Sequence, residues 1–292
     1  MDSSIILIFI SLATFLILSV PIGIAIGLSV AVGIVFGGIL PSAFLIQKMF
    51  TSLDVCPLMA VPFFVMAGEI MQKGSMAQRL LEVSRALVGH ITGGMAHISV
   101  LTSLFYGALS GSSPATVAAV GGIMVPSMVK EGYSRSFATA VNTSAGSLGV
   151  IIPPSVPLII YGTTAGASVG DLFIAGVVPG LVIGIFLMAC SYILAKKYGY
   201  TGSGKRAPLR EILIAFKNSI SALMVPIIVL GGIYGGFTTP TEAGVIAVVY
   251  AFIVEGAILR TLSLEKIWLI LRGTALTTSS IFLVVATATA LG

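Results

Sequence analysis

Charge is what this sequence has least of. Only 9% of its 292 residues are Asp, Glu, Lys or Arg, against about 25% in soluble domains. With 57% hydrophobic residues and a mean hydropathy of +1.12, this scarcity excludes a soluble globular chain and implies an integral membrane protein surrounded by lipid. There are two histidines and two cysteines. His, Cys, Asp and Glu do not gather at metal-ligand spacings, so no transition-metal centre is expected. Cys56 and Cys190 sit in or beside apolar stretches and do not suggest a disulfide framework. A basic n-region and a small-residue cleavage site are also missing, so Ser4 to Val20 reads as a retained helix rather than a signal peptide. The formal net charge of +5 points to basic loops on the cytoplasmic face, and no nucleic-acid partner is expected.

What the chain does have is a series of punctuated apolar runs. Ser4 to Val20 and Ile24 to Gly37, split by Pro21-Ile22-Gly23, predict a tight antiparallel pair. Gly23, Gly27, Gly33 and Gly37 serve there as close-packing positions. Pro41 to Leu53 suits a helix lying in the membrane interface, and Pro57 to Ile70 is apolar again. Lys73 to Arg85 interleaves Leu80, Leu81 and Val83 with Arg79, Glu82 and Arg85, which predicts a second surface helix. Leu172 to Ala195 is a full span. The densest basic loop runs from Lys196 to Lys217. Asn218 to Gly232 and Glu242 to Glu255 are the next spans. Arg260 to Arg272 is an interface segment and Ala275 to Leu291 a final span.

Two stretches break this pattern. Ser110-Gly111-Ser112-Ser113-Pro114-Ala115-Thr116 interrupts one apolar run. Asn142 to Gly149, continuing into Ile151-Ile152-Pro153-Pro154-Ser155, interrupts another. Proline and glycine should break a helix at both, and broken backbone at membrane depth survives only where protein covers it or it lines a wet cavity. The leg from Ile98 to Leu109 is about 18 Å as a helix, too short for about 30 Å of hydrocarbon. It is followed by a similar return leg, Ala115 to Val129. The reading is a re-entrant hairpin; the alternative is one long helix kinked at Pro114. Paired breaks of this kind mark ion and substrate sites in secondary transporters.

The segments are therefore 1–72, scaffold helices and an arm; 73–97, a cytoplasmic amphipathic segment; 98–129, the hairpin; 130–170, a broken helix; 171–217, a connecting span and basic loop; and 218–292, a second scaffold unit. The fold class is an all-α polytopic membrane protein. Placing the Lys196–Lys217 loop inside puts almost every other basic residue inside and the N-terminus outside. Residues 4–71 and 218–292 repeat the order span, break, span, arm, span from opposite sides, an inverted-topology repeat suited to alternating access. Because the second unit is not followed by a hairpin and broken helix, the chain is expected to continue or to be completed by another chain.

Hydroxyls and orphan carbonyls at helix breaks are hard, neutral oxygen donors suited to an alkali cation such as Na⁺. Half-helix N-termini at Ala115-Thr116 and Ser155-Val156 suit a carboxylate. The residues expected to face an organic acid are Ser112, Ser113, Thr116, Asn142, Pro154 and Ser155. Helix capping is the plainer alternative for Ser110, Ser112, Ser113 and Thr116. Interhelical hydrogen bonding is the plainer one for Asn142 and Ser144. Glu242, after Pro240, reads as a cap. Glu69 and Glu255 read as solvated or paired, and His90 and His97 as structural.

Gly-Ser-Ser-Pro-Ala-Thr at 111–116, Lys-Glu-Gly-Tyr at 130–133, Ile-Ile-Pro-Pro-Ser at 151–155 and Phe-Thr-Thr-Pro-Thr-Glu-Ala at 237–243 resemble the large, DctM-type membrane subunit of tripartite ATP-independent periplasmic (TRAP) transporters. The resemblance covers essentially the whole chain. It implies an elevator-type carrier in a bacterial inner membrane, with a small four-helix membrane subunit and a periplasmic substrate-binding protein as partners. It implies Na⁺ coupling and import of a C4-dicarboxylate, another carboxylate or sialic acid. It also implies a first Na⁺ site at Ser110, Ser113, Gly149, Ile152 and Pro153, the last three through backbone carbonyls. The family's large subunit continues into a second hairpin and a second Na⁺ site. The alternatives are a related symporter that works without a binding protein, a channel or structural membrane subunit and, distantly, an intramembrane serine protease using Ser110 and His97.

Overall fold

The computed structural model describes residues 2–37 and 41–292. In order, the elements are α1 (Asp2–Ile17), α2 (Ile22–Gly37), α3 (Ser42–Leu53), a 3-10 turn (Cys56–Met59), α4 (Ala60–Lys73), α5 (Met76–Val88), α6 (Gly94–Ser110), α7 (Ser113–Thr116), a π-helical segment (Val117–Gly121), α8 (Gly122–Lys130), α9 (Arg135–Gly146), α10 (Leu148–Ile151), α11 (Val156–Ala165), α12 (Val169–Tyr198), α13 (Leu209–Tyr234), α14 (Pro240–Phe252), a second π segment (Ile253–Ile258) and α15 (Leu264–Leu291). Among the described residues there is no strand, as expected where hydrocarbon offers no partner for exposed backbone. Among the described residues, four helical stretches are long and apolar enough to cross a membrane: Val169–Tyr198, Leu209–Tyr234, Pro240–Ile258 and Leu264–Leu291. Large apolar side chains along α12, such as Val178, Ile185, Phe186 and Ile193, are exposed, which suits a lipid-facing surface.

The helices form two compact units, Met1–Met59 with Ala275–Gly292, and Ala60–Thr274. In the first, α1 and α2 pack as an antiparallel pair, with Gly33 against Ile8. A Cβ on Gly27 would lie 3.0 Å from Cγ2 of Thr287 in the last turns of α15, so small residues set the helix spacing.

In the second unit, α5 buries Met76, Leu80, Leu81 and Val83 and exposes Glu82 and Arg85. It is pinned through its first turn. Arg79 donates to the Asn218 carbonyl (2.5 Å), and the Ser219 hydroxyl donates to the Arg79 carbonyl (2.8 Å). At its start, the buried Glu255 carboxylate accepts from the backbone N–H groups of Ser75 (2.8 Å) and Met76 (2.9 Å) and from the Thr261 hydroxyl. Glu255 is therefore enclosed rather than solvated, and its partners are neutral donors at a helix N-terminus, where negative charge is favourable.

Three boundaries differ most from the sequence reading. The first hairpin leg starts at Gly94, not Ile98, and has 17 residues, about 26 Å at helical rise. Helix α13 starts at Leu209, so Arg210 and Lys217 of the basic loop are helical. The interface segment and final span form one helix, Leu264–Leu291. The stretch 264–291 contains no proline and only Gly273, so nothing interrupts it, whereas Asp54, Val55 and Pro57 follow α3.

Candidate functional site

Helix α6 ends where Gly111 turns left-handed (φ 59°), its N–H donating to the Gly107 carbonyl at 3.1 Å. The chain then reverses. The Ser110 and Thr116 hydroxyls lie 3.0 Å apart, and further down the two legs the Ser99 hydroxyl lies 3.7 Å from the Met128 sulfur. Residues 98–129 are thus a hairpin and not a kinked rod. Ser112 caps the return leg by accepting from Ala115 N–H, and the Thr116 hydroxyl donates to the Ser112 carbonyl at 2.8 Å. Pro114 has no N–H to offer the Ser110 carbonyl one helical turn back. The return leg continues through the π segment Val117–Gly121, which the sequence reading did not find; the pair Gly121-Gly122 at its end was the available hint.

The second interruption separates Arg135–Ile151 from Val156–Ala165, which meet at 42°. Ile152 is extended (φ −73°, ψ 125°) and the Pro153–Pro154 peptide is cis. Two adjacent prolines withhold the N–H groups that the Gly149 and Val150 carbonyls would use in a continuous helix. The Val150 carbonyl recovers a donor from the Ser155 hydroxyl at 2.6 Å. Pro153 likewise offers no N–H to the Gly149 carbonyl.

The two interruptions touch. Val156 N–H donates to the Gly111 carbonyl at 3.2 Å. A Cβ on Gly111 would lie 2.6 Å from the Pro154 carbonyl oxygen, and one on Gly107 would lie 3.0 Å from the Leu148 carbonyl oxygen. One on Gly149 would collide with the Thr116 hydroxyl and sit 2.7 Å from the Ser112 carbonyl oxygen. Backbone meets backbone here because these positions have no side chain. Gly107 was not singled out from sequence, although its spacing to Gly111 is the small-x-x-x-small pattern of close helix contacts.

Ser110, Ser112, Ser113 and Thr116 thus lie on the hairpin tip, and Gly149, Ile152, Pro153, Pro154 and Ser155 on the break packed against it. Asn142 does not join them. It is buried two helical turns before Gly149, and its amide donates to the Ala138 carbonyl (2.8 Å) and the Met128 sulfur (3.5 Å), holding α9 against α8. Its amide nitrogen thus takes the interhelical role, while its Oδ1 is buried without a hydrogen-bond partner. The α11 N-terminus is also poorer in donors than expected, because Val156 N–H is engaged by Gly111 and Pro157 has none. The serine-protease alternative fails on distance: His97 is separated from Ser110 by about 20 Å of helix, and the Ser110 hydroxyl is held by Thr116. Lys130-Glu131-Gly132-Tyr133 is structural: Tyr133 stacks on Tyr200 with ring centroids 4.2 Å apart, and Ser134 N–H donates to the Tyr200 hydroxyl at 3.0 Å.

Among the described residues no three His, Cys, Asp or Glu side chains gather around a point. The junction instead offers neutral hydroxyl and carbonyl oxygens, which suit a hard monovalent cation rather than zinc or copper. Residues 9–292 match the family model described as Tripartite ATP-independent periplasmic transporter, DctM component. The chain belongs to this family. It is 46% identical over 251 residues to the isethionate TRAP transporter permease protein DctMQ of Oleidesulfovibrio alaskensis, covering 86% of this chain and 40% of that protein. It is 43% identical over 219 residues to the C4-dicarboxylate TRAP transporter large permease protein DctM of Pseudomonas aeruginosa, covering 75% and 51%. To the sialic acid TRAP transporter large permease protein SiaM of Vibrio cholerae it is 37% identical over 249 residues, covering 85% and 58%. The chain spans about half the length of these curated relatives, all of which are named as transporters rather than enzymes.

Proposed function

We propose that this chain is the ion- and substrate-handling part of a large TRAP subunit that imports a small organic acid with sodium. The observation that carries the reading is the Val156–Gly111 contact, which closes the helix break onto the hairpin tip. In this reading, the Ser110 and Ser113 hydroxyls and the Gly149, Ile152 and Pro153 carbonyls hold Na⁺. The α7 N-terminus and Ser112, Ser113, Thr116, Pro154 and Ser155 face the acid. Cation and anion then neutralise each other in a low-dielectric pocket, so neither is favourable there alone. That mutual dependence is the physical basis of coupling.

The hairpin and broken helix move as one block against the scaffold helices in an elevator cycle. A small four-helix membrane subunit braces the scaffold, and a periplasmic binding protein delivers the acid. The membrane is the bacterial inner membrane, with the N-terminus periplasmic. Relatives named for isethionate, C4-dicarboxylates and sialic acid have small, anionic cargo in common, and the substrate class is drawn from that.

The test is uptake of labelled organic acids into proteoliposomes holding the full-length protein, its small subunit and its binding protein, under an inward Na⁺ or K⁺ gradient. Uptake only with Na⁺ and binding protein is expected. Na⁺-driven uptake without the binding protein would favour the self-sufficient symporter, and uptake indifferent to Na⁺ would sink the coupling.

A further inference from the structure

The basic loop after α12 does more than orient the chain. Ser203 N–H donates to the Gly89 carbonyl at 3.0 Å, and Gly93 N–H to the Tyr200 carbonyl at 3.2 Å. These bonds clamp the loop onto the turn between α5 and α6. The clamp builds a cavity of about 540 Å³ whose walls carry Arg85, Lys205, Arg206, His90, Glu82 and Glu211. Neither guanidinium is paired with a carboxylate, although two carboxylates line the same cavity. His90 contributes a buried Nδ1 with no hydrogen-bond partner.

With three cations and two anions, the cavity has a net charge of +1 when His90 is neutral. Lys196, Lys197, Arg210 and Lys217 add further positive charge to the same stretch of sequence without lining the cavity. An adjoining cavity of about 260 Å³ shares Arg206 and His90 and is otherwise apolar, floored by Leu87 and Ile212. On the neighbouring turns of α13, Leu209, Leu213 and Ile214 are 71%, 60% and 47% exposed. A polar, singly cationic mouth thus opens beside an apolar annex and an exposed leucine flank.

We propose that this cavity binds the phosphodiester headgroup of an anionic phospholipid from the leaflet facing the basic loop. The phosphate is held between Arg85, Lys205 and Arg206, and its acyl chains run along Leu209 and Leu213. The charge balance selects a monoanion, and Glu82 and Glu211 accept from headgroup hydroxyls such as those of a glycerol moiety. Basic pockets beside membrane helices take lipid headgroups in this way. The inference is independent of what the hairpin junction carries. By bridging α5, the loop and α13, a seated lipid would fasten the scaffold at the membrane surface.

The experiment uses the full-length protein in vesicles of phosphatidylcholine with or without phosphatidylglycerol, reading retained lipid by native mass spectrometry and thermal stability in parallel. Phosphatidylglycerol should be retained in preference to phosphatidylcholine. Each charge removed should cost about fivefold in retention, so Arg85→Gln with Arg206→Gln should lose about 25-fold. Lys196→Gln with Lys197→Gln removes the same charge outside the cavity and should lose far less. Lys205→Gln serves as a single-site check should the double variant fold poorly. Equal losses from both pairs, or equal retention of the two lipids, would overturn the site. Saturable binding of soluble glycerol phosphate with no preference among lipids would overturn the lipid assignment.

Discussion

Two stretches of this chain carry nearly the same letters and do different things. Ser112-Ser113-Pro114-Ala115-Thr116 and Thr239-Pro240-Thr241-Glu242 each place a hydroxyl cap before a proline-containing first turn. At the second, Glu242 stands three residues after the cap and closes a capping box. It accepts from Thr239 N–H at 2.8 Å, while its own N–H donates to the Thr239 hydroxyl at 3.3 Å. At the first, the same position is Ala115. The α14 start therefore supplies its own anion and is complete in itself. The hairpin tip has no acid of its own and is pressed against a second broken helix. The lesson is that an N-terminus lacking the expected acid, beside another lacking its donors, is the better candidate for a bound ion pair.

Putting an acid back is the sharpest way to break that difference. Ala115→Glu should fill the tip with a fixed carboxylate that repels the cargo anion. Like charges so juxtaposed cost several kcal/mol, so uptake should fall at least about 100-fold in the proteoliposome assay, while membrane insertion is unchanged. Gly149→Ala comes next. The added Cβ drives Thr116 and Ser112 off the break, which should cost about 1–3 kcal/mol of stability, visible in thermal unfolding, together with most Na⁺-dependent uptake. Ser155→Ala leaves the Val150 carbonyl without its donor. A loss of about 1–3 kcal/mol is expected, with a weaker apparent affinity for Na⁺ in uptake titrations. Thr239→Ala should have the smallest effect, about 1 kcal/mol of stability, and should leave the Na⁺ dependence of uptake alone. If Thr239→Ala altered Na⁺ dependence as much as Ser155→Ala, the two stretches would not differ as argued.

The hairpin and the break were legible because proline and glycine act locally: Pro114 and Pro153 remove donors wherever they stand, whatever surrounds them. The capping role of Glu242 was legible for the same reason, since its partner is three residues away. What sequence did not show depends on distant neighbours. For Glu255 the choice between solvated and paired stayed open, because its partners, Ser75 and Met76, lie far back in the chain. Asn142 shares a polar run with the break, yet helical geometry turns it toward Met128. The importance of Gly107 appears only when Leu148 is seen against it. Periodicity also failed at α15, where the polar arm and apolar span differ in composition but contain nothing to part them.

The central claim is that the tip and the break together form one sodium site. It is tested most directly by titrating Na⁺ against thermal stability in the full-length protein, with choline replacing Na⁺ at constant ionic strength, for the parent, Ser110→Ala and Thr239→Ala. A ligand that binds only the folded state raises its stability with concentration. The parent and Thr239→Ala should therefore show the same half-saturating Na⁺, and Ser110→Ala should need at least about tenfold more, the loss expected from about 1.4 kcal/mol of missing coordination. An unchanged half-saturation in Ser110→Ala would contradict the account.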